Sequence, residues 1–180
     1  GNRGGISSNL EIKLPAAEAI YSNDAETMNG VTAQATWGLE QPADHATKVF
    51  SDSPAGFYQG RTNSSLGLPS FSSNARDIVL EMEMQLDTEV GYDAGLIELT
   101  TNGGTNWIQV ASFSEQHGAW SKVTLSLYDY LLAGPKSFQI RFRLVSDDYM
   151  TGEGWKIDNI HYYEIGPIQA SPSASPSQVS

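Results

Sequence analysis

An alternation of period two dominates the chain. Ile78, Leu80, Met82, Met84 and Leu86 are interleaved with Glu81, Glu83 and Gln85, which places apolar side chains on one face of an extended strand and polar ones on the other. The same spacing recurs at Val123, Leu125 and Leu127, and again at Phe138, Ile140, Phe142 and Leu144. Gly95 to Thr100 and Trp107 to Val110 flank Asn102-Gly103-Gly104, a composition suited to a hairpin with positive φ. Trp155 to Tyr163 reads as the last strand. A weak helical signal covers Pro15 to Ile20, and the Ser-, Asn- and Gly-rich stretch from Tyr21 to Phe71 predicts short strands joined by long loops. Strands separated by Gly, Asn, Asp and Ser, with scarcely any 3.6-residue period, predict an all-β fold: a two-sheet antiparallel β-sandwich of jelly-roll type. No internal repeat at a period of about 20–50 residues supports a solenoid or propeller.

Composition narrows the partners. The chain has 180 residues, and the expected layout is a linker over 1–9, one domain over 10–166 and a Pro/Ser-rich tail over 167–180. Such a tail implies neighbouring domains in a longer parent chain. There are no cysteines, which excludes a disulfide framework, thiolate-bound zinc and a thiol nucleophile. With 21 acidic and 10 basic residues the formal net charge is −11, which disfavours nucleic acid and anionic membrane surfaces. No apolar run reaches the roughly 20 residues that span a bilayer, so membrane insertion is not expected.

The sharpest candidate chemistry lies in Gly154-Trp155-Lys156-Ile157-Asp158-Asn159-Ile160. Strict alternation would put Asp158 on the face of Ile160 and Tyr162, with His161 opposite. A carboxylate on an apolar face needs a cation, a salt bridge or a backbone cap. Thr100 to Trp107 fits an Asp-box with Asn102 in place of the Asp, read as a turn element and not a catalytic one. His45, His117 and His161 lack the spacing of a zinc site. No Gly-x-Ser-x-Gly elbow is present, and no carboxylate pair stands out, so catalysis is not expected. Among the four tryptophans, Trp120 in a loop-like context joins Tyr149 as a candidate sugar-stacking side chain.

Three stretches together resemble one family. They are Ser51-Asp52-Ser53-Pro54-Ala55-Gly56-Phe57-Tyr58 with Asn63 to Pro69, then Tyr92 to Leu99 running into the Asp-box, then Ile140 to Asp147 followed by Gly154 to Ile160. Their order and spacing are similar to the MAM-like jelly-roll module of secreted bacterial peptidases of the immune inhibitor A and bacillopeptidase F types. Animal MAM domains carry paired cysteines that this chain lacks. The resemblance implies a non-catalytic accessory module, secreted or at the cell surface, stabilised by calcium (Ca2+). It pairs Asp158 with an acidic pair near the N-terminus, matched here by Asp24 and Glu26, with Ala25 replacing the usual aromatic. Asp52 and Asp93 are further candidate ligands. Asp44-His45 falls where animal MAM domains have Asp-His-Thr and is read as a surface turn. Two other readings remain at this point: a carbohydrate-binding module recognising a cell-surface glycan, and a protein-interaction or adhesion domain.

Overall fold

The computed structural model describes residues 18–34, 36–54, 56–75, 77–132 and 136–165. The expected linker and tail, and both margins of the expected domain, lie outside these residues. The strands are β1 (Ala19–Asn23), β2 (Thr32–Ala33), β3 (Gly38–Glu40), β4 (Val49–Ser51), β5 (Asn63–Gly67) and β6 (Phe71–Ser73). They are followed by β7 (Asp77–Asp87), β8 (Ala94–Thr100), β9 (Ile108–Phe113), β10 (Ser121–Ser126), β11 (Lys136–Val145) and β12 (Gly154–Ile165). One short helix, α1 (Tyr128–Leu131), enters from β10. Ile20, expected in a short helix, lies in β1, where pairing to β12 overrides a weak local preference. Pro15 to Ala17 lie outside the described residues.

Two six-stranded antiparallel sheets face each other. The first has the order β10-β7-β12-β4-β3, with β1 also paired to β12, and the second β2-β5-β11-β8-β9, with β6 also paired to β11. The chain's first described strand and its last are thus hydrogen-bonded, Asn23 facing Ile160. Between the sheets lie Leu80, Met82, Met84 and Leu86 of β7 against Ile97, Leu99, Ile140, Phe142 and Leu144, all buried. Each such side chain contributes roughly 1.5–3 kcal/mol relative to an exposed position. Trp155 is the largest fully buried side chain and meets Phe142 edge-on at 5.6 Å. Gly95 makes room for it, because a Cβ there would lie 2.8 Å from the indole.

Strict alternation fails within β12. The β12–β7 register shifts between Asp158 and His161, and Asn159 sits at φ 49°, a left-handed conformation that Asn tolerates better than most residues. This bulge resets the alternation. Trp155 and Ile157 point into the core before it, Ile160 and Tyr162 after it. Asp158 pairs with Glu83 and His161 with Glu81, so both project from the outer face of the first sheet. That corrects the expected placement of Asp158 with Ile160 and of His161 on the opposite face.

Candidate functional site

Asp158 is fully buried although it lies on an outer face, because the loop between β3 and β4 covers it. His45 Nε2 lies 2.9 Å from Asp158 Oδ2, and Thr47 Oγ1 donates to the same oxygen at 2.9 Å. The backbone N–H of Asn159 donates to Oδ1 at 2.7 Å. His45 also stacks on Trp120, with ring centroids 4.1 Å apart. Sequence reasoning placed Asp44-His45 in a surface turn. His45 is instead half-buried and fastens that loop to β12 through Asp158, which alternates outward with Lys156.

The other expected metal ligands are dispersed. Asp24 and Glu26 do not share a strand face. β1 ends at Asn23, and Ala25 turns the chain with φ 52°. Asp24 Oδ1 accepts from the Glu26 N–H at 3.4 Å, and Glu26 Oε1 accepts from the Lys48 N–H at 3.3 Å. Asp52 is buried and accepts the Trp155 N–H at 2.5 Å. Asp93 accepts the Tyr58 hydroxyl at 2.5 Å and the Asp147 N–H at 2.8 Å. Calcium takes about six to eight oxygens within coordination distance. Among the described residues, the one acidic or histidine group of three or more whose ligand atoms lie within 4.8 Å of one another is Glu89, Asp93 and Asp147. Only Asp93 of the five candidates belongs to it, so as arranged here Asp158, Glu26, Asp24, Asp52 and Asp93 do not fit one calcium shell.

What the first sheet's outer face does carry is a groove. A cleft of about 460 Å3 is lined by Glu40, Asp44, Gln85, Asp87, Glu153 and Lys156, among others. A second cleft of about 240 Å3 continues from Asp44 to His45, Glu83, Trp120, Ser121 and Lys122. The floor follows from the alternation of β7, whose Glu83, Gln85 and Asp87 face outward, and from Lys156 opposite Gln85 in the ladder. The wall is formed by the β3–β4 loop, which places Asp44 Oδ2 3.1 Å from Gln85 Nε2. Lys156 is buried yet charged: burial opposes its charge, but Glu153 Oε2 at 2.6 Å and Glu40 Oε1 at 3.6 Å outweigh that and raise its pKa. Trp120 closes one end as a half-buried aromatic surface. Tyr149, the other expected stacking residue, is 84% exposed and does not line this groove.

The second sheet's outer face has a different character. Glu98 is buried there beneath two arginines. Arg141 Nε reaches Glu98 Oε2 at 2.6 Å, and Arg143 donates to both oxygens, at 2.9 and 2.7 Å. Burial opposes the Glu98 charge, but Arg143 and Arg141 outweigh it and lower the carboxyl pKa. The Arg141 guanidinium lies 4.2 Å over the Trp107 ring. Sequence reasoning did not find this triad, although Arg141 and Arg143, spaced two apart in a strand, share a face.

The turn before Trp107 has Gly103 at φ 69° and Gly104 at φ 87°. Asn102 Oδ1 accepts the Asn106 N–H at 2.9 Å.

No protein-family profile matches the chain. Bacillopeptidase F of Bacillus subtilis is 25% identical over 157 residues, 81% of this chain. The match spans 11% of the length of that curated relative. Among solved structures, the CBM22-1 xylan-binding domain of Paenibacillus barcinonensis Xyn10C superposes with a TM-score of 0.54 at 17% identity, covering 86% of this chain and 99% of that one. The C-terminal family 22 carbohydrate binding module of Clostridium thermocellum Xyn10B gives 0.55 at 9% identity, covering 87% and 100%. The chain has the jelly-roll β-sandwich fold of these modules.

Proposed function

We propose that this chain is a non-catalytic, carbohydrate-binding accessory module of a secreted or cell-surface multidomain protein, and that a glycan lies in the groove on the outer face of the first sheet. The observation that carries this reading is the continuous groove from Lys156 and Gln85 past Asp44 to Trp120. Sugars are recognised by a few placed hydrogen-bonding groups together with an aromatic surface for the apolar face of the ring. Gln85, Asp44, Glu83 and Lys156 supply the first, and the face of Trp120 that His45 does not cover supplies the second. The carbohydrate-binding modules that share the fold support the class of ligand, and the partial match to bacillopeptidase F supports an accessory place in a longer, peptidase-associated protein. The two are compatible, since a module that holds a glycan can tether a catalytic domain to a cell surface.

Native gel electrophoresis through a panel of soluble polysaccharides, followed by calorimetry on any that retard the chain, tests the reading. Retardation by at least one polysaccharide, weakened about tenfold by Trp120→Ala, is expected. Unchanged mobility across xylans, glucans, mannans and amino-sugar polymers would overturn it.

A further inference from the structure

A second cleft, separate in its residues from the groove, opens where the loop from Asp52 to Thr62 meets the β2–β3 connection. It measures about 380 Å3 and is lined by Thr36, Asp52, Pro54, Phe57, Gln59 and Thr62, with neighbouring loop residues. That size is at the low end of the roughly 300–1,000 Å3 of ligand pockets. Its lining joins an exposed aromatic, Phe57 at 60% exposure, to short polar side chains.

Asp52 makes the cleft unusual. It is 0% exposed, and its two oxygens are used differently. Oδ1 accepts the Trp155 N–H, and the chain passes so close that a Cβ at Gly154, which sits at φ 81°, would collide with this oxygen. Oδ2 is buried and has no hydrogen-bond partner among the described residues. A buried acceptor left unmatched is costly, and burial pushes the Asp52 carboxyl up to about 7.

We infer that this cleft is a second saccharide subsite, in which Asp52 Oδ2 accepts a hydroxyl of a single sugar residue or chain end whose apolar face rests on Phe57. The inference rests on the carbohydrate-binding reading and extends it to a separate place on the molecule. A neutral hydroxyl fits better than a hard cation. Calcium needs about six to eight oxygens, whereas Oδ1 is taken by Trp155 and Ser53 Oγ donates to the Glu153 carbonyl at 2.9 Å. One free acceptor beside an aromatic matches one hydroxyl on a sugar ring. The long groove on the first sheet suits the interior of a polymer, and this compact cleft suits its end.

The titratable groups around Asp52 are Glu40 on β3, Glu153 just before β12, Lys156 on β12 opposite Ser51, and Tyr58 in the cleft itself with its partner Asp93. Burial, and then the Asp93 hydrogen bond, raise the Tyr58 hydroxyl far above its ordinary value, so it does not titrate with Asp52. A hydroxyl donating to Oδ2 favours the carboxylate, so binding should release a proton near neutral pH and strengthen as pH rises from about 6 to about 8.

The test is an amide-resolved NMR titration of the 180-residue chain with a panel of monosaccharides and disaccharides: glucose, xylose, mannose, galactose, N-acetylglucosamine and their dimers. The expected result is saturable shifts at Thr36 and across residues 56–62 for at least one sugar. Phe57→Ala should weaken this binding about tenfold, and Asp52→Asn should remove its pH dependence. Phe57 is exposed enough for its variant to fold even if Asp52→Asn does not. Shifts confined to the groove around Gln85 and Trp120 would overturn this inference and leave the proposed function standing. Shifts nowhere, combined with no retardation by any polysaccharide, would overturn both. Saturation of the cleft by methylammonium or calcium but by no sugar would also contradict it.

Discussion

The two outer faces of the sandwich start from the same strand alternation and end differently. On the second sheet, Glu98 on β8 sits under Arg141 and Arg143 of β11, and Arg141 in turn covers Trp107. Charge answers charge between adjacent strands, and the face is filled by its own side chains. On the first sheet the β3–β4 loop rises over β12 and is fastened by His45 and Thr47 to Asp158. The polar side chains of β7 and β12 are thereby left along the floor of a groove with Trp120 at one end. Polar residues on a sheet face do not by themselves make a binding site. A site needs a wall, and the wall depends on Asp158, which alternates outward from the buried Trp155 and Ile157 and holds the β3–β4 loop.

The largest effect should come from breaking the filled face. Glu98→Ala leaves two half-buried guanidinium groups against each other, and urea unfolding should show a loss of about 2–4 kcal/mol. Polysaccharide retention at saturating native stability should be unaffected. A loss under about 0.5 kcal/mol would mean that the triad is an ordinary surface pair.

Removing the clasp on the other face should cost somewhat less. Asp158→Ala takes away the acceptor of His45, Thr47 and the Asn159 N–H, and a loss of about 1–3 kcal/mol is expected, together with weaker glycan binding because the groove's wall is released. Thermal melts should show the same loss in calcium as in chelator. A calcium-dependent rise of the native midpoint that Asp158→Ala abolishes would restore a cation at this position.

How much of this could be seen beforehand follows from range. Alternation, hairpin composition and turn residues are local, so β7 to β12 were legible from the sequence, whereas the start of β1 reads as part of a weak helix and the pairing of β1 to β12 has no local signal. Asn159 offered a local clue, being a residue type that accepts positive φ, yet a one-residue bulge inverts every side chain on one side of it. The contacts of His45 and Glu98 span more than 40 positions in the chain, 113 for His45 to Asp158 and 43 for Glu98 to Arg141. No periodicity reports them. The glycan reading was one of several on sequence, because Trp120 acquires meaning only when Asp44 and Gln85 are found beside it.

A smaller effect contrasts the two buried carboxyls. Glu98 has a lowered pKa, so its contribution to stability is present above the ordinary carboxyl range and is lost as pH falls through the folded value. Asp52 is raised to about 7, so its protonated form favours the fold, and stability declines as pH rises from about 4 towards about 7. Between about pH 5 and pH 7.5 the melting midpoint should fall by about 2–4 °C in the native chain and by less in Asp52→Asn. Parallel slopes in the two proteins would contradict the assignment.

The central claim is that the first sheet's face binds a glycan and the second's does not. The most direct measurement compares Trp120→Ala with Trp107→Ala by calorimetry against the polysaccharide that retards the native chain most. The account predicts about a tenfold loss of affinity for the first and unchanged affinity for the second. Loss with Trp107→Ala and full affinity with Trp120→Ala would place the site on the opposite face and contradict it.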